Sequence, residues 1–424
     1  MSAWWTRPGK ARDVVFAKLP NLQADTLDSG MHGPHCCFPC PSHTAFLLCL
    51  LPSSNNQSRD IVIHPAKMPE PETEPQHVED IYPKLIPKQC EICKKTEALL
   101  RCSACKVYWY CSRDHQVEDR PTHKSTCKTI STHLKKAEAI KDKMLAADVN
   151  ALTSDHVGNF WAFPLTRTYL QALYAYAEML IRSWRIQGIE ESLAIHHEIL
   201  RFDRGDRQGV RRVIPALLVR LGRDQEAYDF CAWYQKVTPN FDWNDTRLPM
   251  LDLHGADPTE SAAPWTKENA IHMNLDHTAT VALIKMRLMG SLQDAMLLRE
   301  KRPDLSIEAV LAAVSESNAG DVLSRHPEWL ADVGTIRARM EGLAEGLEGL
   351  YNTIGRYNKH YWRMVLLPGK KELNEMPGPY TAGSWDESQL AFMHTYSAWV
   401  ESPMAIPALR GMVEAAHREA TASN

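Results

Sequence analysis

The chain has 424 residues, 44% hydrophobic and 24% charged, with 48 basic and 52 acidic residues for a formal net charge of -4. That length suits two or three folded units, and the charge balance gives no reason to expect nucleic acid or an anionic membrane as main partner. The longest uninterrupted apolar run, Ala45–Leu51, falls far short of the roughly 20 residues a membrane span needs.

Taken in chain order, residues 1–87 read as a disordered or extended segment. Arg7, Lys10 and Arg12 are followed by no apolar core at signal-peptide distance, and Pro8, Asp13 and Pro20 interrupt any amphipathic presequence helix. Met68 reads as an alternative start, with residues 1–67 then an extension of the native chain. Directly after it, PEPETEPQ is acidic and proline-rich, the composition of a solvated linker. His32, His35, Cys36, Cys37, Cys40 and His43 lie among prolines without regular spacing and are not read as a metal site.

Six of the eleven cysteines fall between Cys90 and Cys127. Such clustering suits metal binding in a reducing compartment better than a disulfide framework, and places the expected location in cytoplasm or nucleus. Within residues 88–128 the candidate ligands form four pairs: Cys90/Cys93, Cys102/Cys105, Cys111/His115 and His123/Cys127. Two are C-x2-C knuckles, and two are spaced i, i+4 on one face of a helical turn. Eight such ligands suit two closed tetrahedral zinc sites, with no position left open for a catalytic water. Spacing alone leaves sequential, nested and interleaved pairings equally possible. The segment holds nine Lys and Arg against five Asp and Glu; two zinc ions and six thiolates bring it to only +2. Nucleic acid is therefore not an expected ligand of the finger.

After Cys127 the pattern turns helical. A linker helix over 129–150 carries a basic face (Lys135, Lys136, Lys141, Lys143), and an α-helical domain spans 151–424. Leu170, Leu173, Tyr174, Ala177 and Leu180 form one helical stripe, a second helix follows Gly188, a third spans Val210–Leu221, and a fourth runs Gln225–Tyr234. Gly188 and Gly222, read as turn glycines, sit 34 residues apart, the tetratricopeptide (TPR) period, so the hairpins are read as degenerate and TPR-like. Residues 240–270 read as a long loop. Further helices are expected at Ala279–Leu288, Leu292–Arg299, Ser306–Ser315, Thr335–Tyr351, Glu387–Val400 and Ile406–Glu419. The apolar stripes are expected to face one another and not the zinc sites, so that residues from about 150 onward fold without the finger.

The stretch from Cys90 to Cys127 resembles a MYND finger over its whole length. It has both knuckles, the aromatic run Tyr108-Trp109-Tyr110, Cys111-Ser112, Gln116, and His123-Lys124 before Cys127. The resemblance implies interleaved sites, with Cys90, Cys93, Cys111 and His115 on one zinc and Cys102, Cys105, His123 and Cys127 on the other. It implies a protein-binding role, with proline-containing peptides docking near Gln116 and Arg120. The chain departs from the family at His115, where Cys is usual, and at Arg120, where a Trp usually walls the peptide groove. As a whole it resembles fungal MYND finger proteins with a helical remainder.

The fold class expected is thus a small finger with two interleaved zinc sites, then a mostly all-α, TPR-like domain. The expected function is a zinc-binding protein–protein interaction adaptor, with no catalytic residue. The alternative is a SET-type protein lysine methyltransferase with an inserted MYND finger. That would need strand-rich sequence on both sides of the finger and an Asn-His pocket motif, whereas the chain after Cys127 is helical and contains only Cys231. His272, Asp276 and His277 read as a surface helix N-terminus. Asp242, Asp245 and Asp252 read as capping, solvated carboxylates. Arg207 and Arg211 are placed on the exposed side of the turn before the third helix.

Overall fold

The computed structural model describes residues 85–422 apart from 154–155, 238–240, 267–272 and 318–319. The His32 to His43 cluster lies outside the described residues, as does His272. A two-stranded antiparallel ribbon, β1 (Leu100–Arg101) with β2 (Trp109–Tyr110), pairs Leu100 with Tyr110 and Arg101 with Trp109. A short helix α1 (Arg113–Glu118) follows, and then α2 (Arg120–Ala147). These two helices supply the finger's last ligands. α2 then runs on beyond Cys127 without a break, so a stiff helix, and not a loop, joins the finger to the rest.

The remainder is helical. Its helices of six residues or more are α3 (Pro164–Ile181), α4 (Ile186–Phe202), α5 (Ile214–Arg220), α6 (Asp224–Val237), α7 (Leu275–Lys301), α8 (Ile307–Ser317), α9 (Val333–Tyr357), α10 (Tyr361–Leu366), α11 (Trp385–Glu401) and α12 (Ala405–Ala422). Asn274, Asp332 and Ser384 cap α7, α9 and α11, each side chain accepting from a backbone N–H three residues on. α2 to α6 pack each on the next, an order compatible with TPR-like hairpins, and α9 lies along α7.

Two expectations about glycines and breaks change here. Gly222 is left-handed (φ 71°) and does end a turn. Gly188, however, lies inside α4, where a Cβ would come 2.2 Å from Ser183 Oγ and 2.5 Å from the Leu180 carbonyl. It is a close-packing glycine, and the left-handed residue of that turn is Trp184 (φ 55°). The two helices expected on either side of Gly290 are one, α7. Nearly every face of α7 is buried, and surrounding contacts offset the roughly 1 kcal/mol that a mid-helix glycine costs.

The expectation that the helical stripes turn away from the zinc sites also fails. Tyr176 and Leu180 of α3 are buried in a cluster with Cys102, Cys105, Val107, Tyr108, Tyr110 and Ile130. The finger sits on α3 and α4. Residues 85–87, at the end of the segment expected to be disordered or extended, include Ile86, whose backbone pairs with Trp184 and Ile186.

Candidate metal centre

Each C-x2-C knuckle closes in the same way. The amide of Lys94 donates to the Cys90 carbonyl (3.0 Å) and that of Lys106 to the Cys102 carbonyl (2.9 Å), both lysines being left-handed. This turn carries both sulfurs to one side. Ser112 caps α1 by accepting from the His115 amide, which fixes Cys111 and His115 beside each other. The Tyr110 hydroxyl donates to Asp119 (2.7 Å), at the junction where α2 begins. α2 then presents His123 and Cys127 one turn apart.

The ligand atoms converge as two interleaved groups, Cys90/Cys93/Cys111/His115 and Cys102/Cys105/His123/Cys127, with all four atoms of each within 4.8 Å of one another. In the first, Cys93 and Cys111 sulfurs are 3.4 Å apart, and His115 Nδ1 lies 3.4 Å from Cys90 and 3.2 Å from Cys111. In the second, Cys102 and Cys127 sulfurs are 3.8 Å apart, and His123 Nε2 lies 3.4 Å from Cys102 and 3.6 Å from Cys105. A tetrahedron with Zn–S near 2.3 Å and Zn–N near 2.05 Å has edges of about 3.8 Å (S–S) and about 3.6 Å (S–N). The donor sets and their spacing fit one zinc ion each. The two imidazoles present different nitrogens, Nδ1 at His115 and Nε2 at His123.

The thiols cannot all ionise side by side without a cation. Cys102 is held far below the usual thiol range, to about 3, by hydrogen bonding from Cys105 and His123. Cys105 is pushed up by its hydrogen bond to Cys102 and by burial, and Cys111 is pushed up to about 11 by Cys93. At Cys90 burial opposes ionisation, but donors from the Cys93, Cys111 and Ile92 backbone and from His115 outweigh it and lower the thiol to about 6. A divalent ion in each group removes this conflict, because thiolates crowded around a cation attract it instead of repelling each other.

The two groups differ in setting. Cys102, Cys105 and His123 are buried, and the His123 ring packs against Tyr108 in a tilted pair, with centroids 3.9 Å apart and 43° between the planes. Cys93 is exposed, and Cys111 and His115 are half-buried. Tyr108 in turn lies beneath the Arg185 guanidinium at 3.5 Å. Arg185, which sequence reading passed over, ties the buried group to the helices.

The remaining candidates take structural places. Asp242 and Asp245 accept backbone N–H groups two residues on, and Asp252 accepts from Trp233 Nε1. Arg207 and Arg211 are partly exposed and pair with Asp203 and Asp206. The α7 N-terminus is not at the surface, contrary to expectation. Asp276 is fully buried, accepting from Arg212 Nε (2.6 Å) and His394 Nδ1 (2.7 Å), while His277 Nε2 faces the Arg211 carbonyl at 2.9 Å. Packing by α11 and the Val210–Arg212 turn covers it. Periodicity along α7 gives no sign of that cover, since both partners lie far away in sequence.

Fold and site together define a two-site zinc finger docked on an all-helical body. Residues 90–127 match the sequence model of the MYND finger family, so the chain carries a MYND-type finger, a zinc-binding interaction module. Over 38 residues the chain is 50% identical to human "Egl nine homolog 1" and 47% identical to its mouse counterpart, covering 9% of this chain and 9% and 10% of theirs. It is 29% identical over 80 residues to "Histone-lysine N-methyltransferase ASHR1" of Arabidopsis thaliana, 19% of this chain and 17% of that one. The chain thus spans less than a fifth of each relative. No solved structure matches. Among the described residues no helix is long and apolar enough to cross a membrane.

Proposed function

We propose that the protein is a zinc-dependent protein–protein interaction adaptor. Cys90, Cys93, Cys111 and His115 hold one structural zinc, and Cys102, Cys105, His123 and Cys127 the other. Residues 88–128 are the finger, and α2 joins it rigidly to a helical scaffold over 151–424. Both metal sites are closed, so the ions shape a surface and leave no position for substrate.

The observation that carries this reading is the finger's docking. One face is buried on α3 and α4, which leaves α1 outward: Val117 is 56% exposed beside Gln116 and Arg120. A partner protein docks on that face, and proline-containing peptides are the ligand class the family resemblance suggests for it. The methyltransferase alternative draws on the ASHR1 similarity over 80 residues. Against it, the only strand pair among the described residues is the two-residue ribbon inside the finger, and everything after it is helical.

The test compares partners captured by the intact zinc-loaded protein and by a Gln116→Ala/Val117→Asp variant that keeps two zinc ions and its circular dichroism. Selective loss of bound proteins supports the adaptor reading. An unchanged partner set places the working surface elsewhere.

A further inference from the structure

α2 begins with a stretch, Arg120 to Ala137, that contains no acidic residue. At 100° per residue, Arg120, Lys124, Lys128 and Lys135 fall within about 80° of arc, turned away from the buried His123, Ile130 and Ala137. All four are exposed, and none has an ion-pair partner among the described residues. They form a cationic ridge about 22 Å long that starts at the finger's outward face. Arg120, Lys124 and Lys128 repel each other along this stripe with no carboxylate one turn away on α2, while Lys135 has Glu138 at i+3.

The sequence supplies an anionic partner in the same chain. Residues 69–80, PEPETEPQHVED, hold five carboxylates (Glu70, Glu72, Glu74, Glu79, Asp80) and no Lys or Arg. We propose that this segment lies along the Arg120–Lys135 ridge and screens the finger's outward face in cis. The spacing agrees. Cations at i, i+4 and i+8 of a helix repeat every ~6 Å along its axis. Glu70, Glu72 and Glu74 on an extended backbone repeat every ~6.6 Å on one side, and residues preceding proline, as Glu70 and Glu74 do, favour that backbone. Ten residues lie between Glu74 and Leu85, eleven residue steps with a reach of up to ~38 Å, longer than the ridge itself. A tether that short sets a millimolar effective concentration, so even weak ion pairing keeps the ridge occupied. The proposal rests on the reading of this side of the finger as its docking face. It makes that face available only to partners that displace the segment.

The test uses the full zinc-loaded chain and a fluorescein-labelled peptide of residues 68–81. A chain carrying Glu70→Gln, Glu72→Gln and Glu74→Gln binds the probe at least tenfold more tightly than the unaltered chain. Lys124→Glu/Lys128→Glu in that background, with two zinc ions retained, removes the gain. Carbodiimide cross-links join Glu70, Glu72 or Glu74 to Lys124 or Lys128 in the monomer fraction. Equal probe affinity with and without the three Glu changes would overturn the proposal. So would binding insensitive to the lysine changes, or cross-links confined to dimers. None of these outcomes bears on partner loss in the Gln116→Ala/Val117→Asp variant, so the two readings fail separately.

Discussion

Arg185 holds Glu91 across the boundary between finger and helices. Its Nε lies 2.6 Å from Oε1 and its Nη2 2.8 Å from Oε2, and the same guanidinium covers the Tyr108 ring. Both side chains are largely buried, at 15% and 8% exposure. The planar fork satisfies a carboxylate and an aromatic face together, which an ammonium group cannot do. Breaking the pair leaves Glu91 buried and uncompensated.

Arg185→Ala should therefore cost about 3 kcal/mol in denaturant unfolding, and Arg185→Lys should recover less than half of it. Amide exchange should quicken over residues 86–110 while the zinc content stays at two. A variant as stable as the parent would show that the docking is held by the apolar cluster alone.

The two zinc ions should leave at different rates. The site with exposed Cys93 opens to chelator directly, whereas the one around Cys102 and Cys105 is sealed by Tyr108, Tyr176 and Leu180. Chelator titration followed by a zinc dye should show two phases, and the slow one should coincide with loss of tertiary signal from α3. A single phase with no change in the helical region would mean that the finger and its support are energetically independent. For the same reason, a chain shortened to residues 150–424 should bind an apolar dye.

The finger was legible in the sequence because metal ligands obey strict spacing and are few in kind. Four pairs at the right intervals name the donors, though not which pair joins which. The helices after residue 160 were legible because a one-sided apolar stripe repeats every three or four residues. Contacts between distant segments left no such trace. Nothing in the α3 stripe distinguishes Leu173, facing helices, from Leu180, facing the finger. Nor does the run through Gly290 reveal that α7 is buried all round and continuous. Arg185 and His394 carry no local pattern, and each acquires its role from a partner far along the chain.

The buried histidines should lose their stabilising contribution in a definite acid window. Burial lowers His196 and His277 to about 4, with the hydrogen bond to the Arg211 carbonyl partly opposing it at His277. A group whose folded value is depressed stabilises above its unfolded value, near 6.5, and loses that contribution as pH falls towards 4. Asp206, pushed up to about 7 by burial, acts in the opposite sense: it favours the fold at low pH and costs stability as pH rises from about 4 to 7. His197, lowered by burial, acts with these two histidines, whereas Glu178 and Asp224, raised by burial, act with Asp206; the histidine contribution is the one that drops between pH 6.5 and 4.5. His277→Gln keeps a donor for Arg211 and removes one titration. It should recover ~2 kcal/mol at pH 5 relative to its own effect at pH 7. Equal effects at both pH values would show that His277 does not titrate as its burial demands.

The specificity of the outward face should turn on Arg120. MYND relatives that take proline-containing peptides have an apolar Trp wall at this position, opposite a Gln that corresponds to Gln116. Here that position is an exposed guanidinium, and the Gln116 side-chain oxygen accepts a hydrogen bond from Arg113. Replacing the indole removes ~1.5–3 kcal/mol of apolar burial on binding and adds a charge that resists desolvation. The same charge pairs readily with a carboxylate, and Lys124 stands one turn further along α2. A peptide with Asp or Glu beside its proline should therefore bind better than a plain proline-leucine peptide, and its affinity should fall between low and physiological salt. Arg120→Trp should reverse the order, strengthening the plain peptide and weakening the acidic one. The measurement is a titration of both peptides against both forms of the zinc-loaded chain, in the background where Glu70, Glu72 and Glu74 are Gln so that no internal competitor intervenes. If the two forms bind each peptide equally, Arg120 is a solvated surface residue and the recognition face lies away from the start of α2.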